Sequence, residues 1–172
     1  KQPNEIIKIS IKLFDHEQIL KLRNVDLEEV RDLTRNDFNP RGQTALLDAM
    51  GDTLTYFMEK KLMDPGAYDS CIIYVTTDGL ENASKDYTND KIRKMIQNAE
   101  ETYNIKLMYL GANQDAILEA NKFGIDYSRA MNYSETPENV QSAYRSAASA
   151  AVRTRSLGRT EFTQIEREAS QY

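Results

Sequence analysis

Cysteine and histidine each occur once in the 172 residues, and tryptophan not at all. Cys71 has no second cysteine to pair with, so no internal disulfide forms and a reducing compartment is expected. It opens an apolar run with nothing nearby in sequence to activate a thiolate, and so reads as a small core residue. His16 lies in a polar break between two strand-like segments and reads as an exposed turn residue rather than a ligand or a base. An excess of basic charge is also missing: 22 Lys and Arg stand against 27 Asp and Glu, for a net charge of −5. The basic residues are interleaved with acids throughout. That excludes sequence-independent nucleic-acid binding, which needs a basic footprint to displace counterions. No apolar run approaches the length that crosses a bilayer, and no signal-peptide pattern is present. The expected partners therefore include neither nucleic acid nor membrane, and the expected location is cytoplasmic.

What is present suits one globular domain, with 40% hydrophobic and 28% charged residues in a length that buries a real core. Ile7, Ile9, Ile11 and Leu13 alternate with polar residues, the period-two pattern of a strand with one wet face. After the break at Asp15-His16, residues Gln18 to Arg23 return as a second, antiparallel strand. Residues 24–41 are polar and read as loop or a short helical turn. A long helix follows from about Thr44 to Leu62, with Leu46, Leu47, Met50, Leu54, Phe57, Met58 and Leu62 on one face, and Asp64-Pro65-Gly66 ends it. Cys71 to Val75 is a continuous apolar run, the pattern of a parallel strand buried on both faces.

Thr88 or Asn89 caps the next helix, whose inward face is Ile92, Met95, Ile96, Ala99 and Tyr103. Ile105 to Leu110 is another apolar strand, Gln114 to Phe123 a short helix ended by Gly124, and Arg129 to Asn132 a last short strand. Thr136-Pro137 opens a strong helix with a stripe of Val140, Tyr144, Ala147, Ala148 and Ala151. Helices alternating with apolar strands mean crossover units and a largely parallel sheet. The pattern predicts an α/β fold in which Cys71–Val75 and Ile105–Leu110 are adjacent, parallel and buried on both faces, with Cys71–Val75 away from the sheet edge, and in which the opening hairpin pairs at one edge. Residues 156–172 are polar and read as a C-terminal extension beyond a domain of residues 1–155.

Two spots invite a chemical reading. Gly42-Gln43-Thr44 is a loop that feeds a helix with a hydroxyl at its start. Thr77-Asp78-Gly79 sets a carboxylate at the C-terminal end of a buried parallel strand, where open α/β sheets bind ligands. One hydroxyl and one carboxylate suit part of a Mg²⁺ shell, which takes few protein oxygens and keeps several waters. Taken alone, Thr44 serves equally as a helix N-cap and Asp78-Gly79 as a turn.

Together the motifs resemble a family. Gly42-Gln43-Thr44-Ala45-Leu46-Leu47-Asp48-Ala49 looks like the second metal motif of von Willebrand A (vWA) domains, and Thr77-Asp78-Gly79 like the third. The runs Thr77 to Ser84 and Leu110 to Ala116 are similar to those of a compact group of bacterial and phage members. The resemblance spans Ile6 to about Val152. It implies a Rossmann-like fold with a mostly parallel central sheet, an antiparallel edge hairpin and helices on both faces. It also implies a metal-ion-dependent adhesion site (MIDAS), where bound Mg²⁺ keeps one position for an acidic side chain of a partner protein. Thr44 would be the hydroxyl ligand or a water-mediated contact, and Asp78 the carboxylate, often reaching the metal through water.

The family's first motif, Asp-x-Ser-x-Ser after an opening strand, is not in this sequence. Asp126-Tyr127-Ser128 is the nearest imitation, with Ala130 where the last serine belongs. By the family plan, the first strand and helix would end ahead of Lys1, and that strand would lie in mid-sheet. Its absence leaves two strand edges without backbone partners, so an incomplete polypeptide is expected rather than a naturally short one. Asp15, Asp48 and Asp115 are the next carboxylates to consider as ligands. The resulting expectation is a protein-binding module with a Mg²⁺-dependent site incomplete in this chain, and no enzyme. The alternatives are a structural block of a larger assembly with a vestigial metal site, and a Mg²⁺-dependent phosphoryl-transfer enzyme. The latter needs a phosphate-cradling loop or an aspartyl nucleophile, and Gly42-Gln43-Thr44 has neither the glycines nor the lysine of a P-loop.

Overall fold

A computed structural model describes residues 5–37, 42–112 and 115–170. Its elements run β1 (Lys8–Phe14), β2 (Gln18–Asp26), α1 (Leu46–Met63), β3 (Cys71–Thr77), α2 (Asn89–Thr102), β4 (Ile105–Ala112), α3 (Ala116–Lys122), β5 (Ala130–Tyr133), α4 (Pro137–Leu157) and α5 (Gln164–Glu168), with single 3-10 turns at Leu27–Glu29, Arg35–Asp37 and Tyr127–Arg129. The fold is mixed α/β.

β3, β4 and β5 form a parallel sheet in that order, with Cys71 opposite Ile105 and Tyr109 opposite Ala130. Parallel neighbours need crossovers, and α2 and α3 supply them. Strand alternation sorts the side chains into two cores. Ile73, Val75, Ile105, Leu107 and Tyr109 pack with residues of α1, α2 and α3. Met108, Leu110 and Met131 pack on the opposite face with Ala143, Ala147 and Ala150 of α4. β4, in the middle, is buried along nearly its whole length.

β3 departs from the sequence expectation. It stands at an edge of this sheet, and of its seven residues only Val75 and Thr77 are buried. An apolar run is necessary for a doubly covered strand but cannot supply the second neighbour. The opening hairpin does not supply it either. β1 and β2 pair antiparallel from Phe14 opposite Gln18 to Lys8 opposite Asp26, but they form a sheet of their own rather than an edge of the parallel one. The hairpin is fastened to α1 instead. Ala45 N donates to Asp15 O at 2.7 Å, Asn24 Nδ2 donates to Tyr56 Oη at 3.0 Å, and Phe14 packs on the first core.

Two helical stripes shift from the periodicity reading. α1 buries Leu46, Leu47, Ala49, Met50, Gly51 and Leu54, while Leu62, further along the helix, is largely exposed. α4 turns Ala143, Ser146, Ala147 and Ala150 inward and leaves Tyr144 56% exposed. Small residues let this helix lie close enough for Tyr74 Oη to donate to Ala147 O at 2.7 Å.

The polar segment after α4 folds back onto the domain. Gly158 ends the helix at φ +67°, the left-handed conformation that glycine tolerates best. Phe162 then enters the second core at 2% exposure, and its N–H donates to Ser128 O at 2.7 Å. Arg153 clamps Glu166 through two bonds of 2.8 and 2.7 Å, and Ser134 N donates to Ser170 O. The segment therefore touches the chain just before and just after β5.

Candidate functional site at the carboxyl end of the sheet

The three parallel strands end together, at Thr77, Ala112 and Tyr133, and two loops close over the β3 end. Thr44 and Asn82 lock them reciprocally: Thr44 N donates to Asn82 Oδ1 at 2.9 Å, and Asn82 N donates to Thr44 O at 3.0 Å. Thr44 also lies directly against Gly79. A Cβ added to that glycine would fall 2.6 Å from Thr44 Oγ1, so any other residue would force the Thr44 side chain to shift. The structure thus brings Thr44 beside the residue that follows Asp78. Asp78 itself is exposed. It also reaches Tyr133 electrostatically: burial first, then the neighbouring Tyr144, Asp78 and Glu135, push the Tyr133 hydroxyl up to about 12.

The start of α1 settles one ambiguity. Its N-cap residue is Ala45, which has no side-chain cap bond, so the Thr44 hydroxyl does not serve the helix. The free helix N–H groups are met from the other loop. Leu47 N donates to Glu81 Oε2 at 3.0 Å, and Asp48 N donates to Ser84 Oγ at 3.1 Å. Glu81 also accepts from Ala83 N at 3.0 Å, Ser84 N at 2.8 Å and Ser84 Oγ at 2.8 Å. Burial pushes its carboxyl upward, but these bonds outweigh that and hold it below the usual glutamate range. Asp48 returns the connection, accepting from Lys85 N at 2.8 Å, Asp86 N at 3.0 Å and Tyr87 N at 3.1 Å. The helix–dipole interaction with Glu81 reinforces the arrangement.

Glu81 escaped the sequence reading. Its signal was indirect: a long helix that opens on Ala45 must find acceptors elsewhere, and Glu81 with Ser84 three residues later resembles a capping pair placed off the helix.

The reserve carboxylates are committed to backbone groups. Asp15 Oδ1 accepts from Glu17 N at 2.7 Å, Asp48 is used as above, and Asp115 caps α3 by accepting from Leu118 N at 2.9 Å. Asp126 is likewise spent on its own 3-10 turn, accepting from Ser128 N at 2.9 Å. His16 is exposed, 3.5 Å from Asp15. Cys71 sits at the opposite end of β3, its thiol pushed up to about 12 by burial against a smaller opposing effect of Lys60. A thiol so raised is inert near neutral pH.

Among the described residues, no group of three or more His, Cys, Asp or Glu side chains is placed to hold a metal ion. Thr44 and Asp78 together offer one neutral and one charged oxygen. Mg²⁺ demands octahedral oxygen coordination and dehydrates reluctantly, so this pair alone does not fit a firmly held ion. No described helix is long and apolar enough to cross a membrane. No protein-family model matches the chain, and neither a curated protein nor a solved structure matches it.

Proposed function

We propose that this chain is a protein-binding module of the vWA type that works at the carboxyl end of its parallel sheet and is not an enzyme. The observation that carries the reading is the junction of loops 42–45 and 78–84: a Thr44 hydroxyl not used by its helix, set against Gly79 and next to the exposed Asp78. Open α/β sheets place ligands at this end. In this reading Thr44 and Asp78 form the part of a Mg²⁺ site that this chain supplies. The bound ion would offer an open position to an acidic side chain of the partner. Two protein oxygens do not complete such a site, and in this reading the further ligands are those of the family's Asp-x-Ser-x-Ser motif.

Calorimetric titration with Mg²⁺ tests this on two polypeptides: the 172-residue chain, and the same chain extended at its N-terminus by a strand and helix carrying that motif. The expected result is weak or no binding by the first and tight binding by the second. Failure of the correctly folded extended form to bind would overturn the metal reading. It would favour the second reading, a structural block, which the two-oxygen set already supports. Tight binding by the short chain would mean that other ligands do the work.

A further inference from the structure

We draw no further inference here: the strongest candidate, the outer edge of β3, which pairs with no further strand among the described residues, restates the mid-sheet strand that the vWA resemblance already implies, and nothing in the structure shows what covers that edge.

Discussion

Removing the Glu81 carboxylate is the most informative single change, because it tests whether the loop after β3 holds the start of α1. In Glu81→Ala, Leu47 N loses its acceptor in a buried setting, since Leu47 is only 6% exposed. A buried N–H left unpaired costs about 1–3 kcal/mol, and loss of a helix cap typically costs about 1 kcal/mol. The Ala83 and Ser84 amides lie in half-exposed residues, where water replaces part of what they lose. The expected loss is therefore about 2–3 kcal/mol, read by urea unfolding followed by far-UV circular dichroism. For a chain of this size that corresponds to a fall in Tm of roughly 6–9 °C. Glu81→Gln keeps one acceptor oxygen without the charge and should lose about half as much, since charge-assisted bonds are about twice as strong as neutral ones.

The pH dependence has a definite sign. The Glu81 carboxyl is held below its ordinary value in the folded state, so its contribution is full above the unfolded pKa of about 4.3 and is lost as pH falls through the folded value. The gap between wild type and Glu81→Gln should accordingly narrow as the solution is acidified below that range. A loss under about 0.5 kcal/mol for Glu81→Ala, with native dichroism retained, would refute the capping argument.

Three further outcomes are expected. Gly51→Ala should destabilise by about 1–3 kcal/mol although alanine is the better helix former, because the added Cβ would fall 2.4 Å from the Tyr87 ring, which Lys91 stacks upon; a stabilised variant would mean the ring yields freely. Phe162→Ala should cost about 3–5 kcal/mol and expose residues 159–170 to limited proteolysis, whereas a merely appended tail would leave stability unchanged. Thr44→Val and Asp78→Asn should each leave stability within about 0.5 kcal/mol, yet weaken Mg²⁺ binding when introduced into the motif-bearing extended form; unchanged titration curves would remove both residues from the site.

The elements legible in the sequence were those whose local chemistry decides them. Thr88, Thr136 with Pro137, and Gly124 mark helix ends through side-chain and backbone rules that act within a few residues. The Ile105–Leu110 run declared a fully covered strand, and β4 is one. What escaped depended on distant partners. Cys71–Val75 carries the same apolar signature as β4, but a strand's position in a sheet is fixed by what pairs with it, and periodicity does not report that. Phe162 is one apolar residue in a polar stretch, and its burial comes from a return of the chain that composition does not encode. At the site, the Thr44 and Asp78 positions could be singled out, whereas the roles of Glu81, Ser84 and Asn82 required knowing that their loop crosses the start of α1.

The two edges of the parallel sheet are treated differently, and the difference bears on the site. At β5, the returning C-terminal segment bonds to Ser128 and Ser134 on either side of the strand, and Arg153 fixes that segment through Glu166. A short, flanked strand of this kind is how natural sheets avoid unwanted pairing. β3 has seven residues, no proline or lysine within it, and half-covered Cys71, Ile72, Ile73 and Tyr74. Yet β3 leads directly into Thr77-Asp78-Gly79, and the helix facing it begins at the Thr44 loop. The hairpin bonds to that same loop, Ala45 N donating to Asp15 O. Both strand systems are thus anchored at the start of α1, and among the described residues no strand ladder joins them. Under the proposed reading, a strand that paired with β3 would cover that edge and also carry the missing ligands, so stability and Mg²⁺ affinity should rise together in the extended polypeptide.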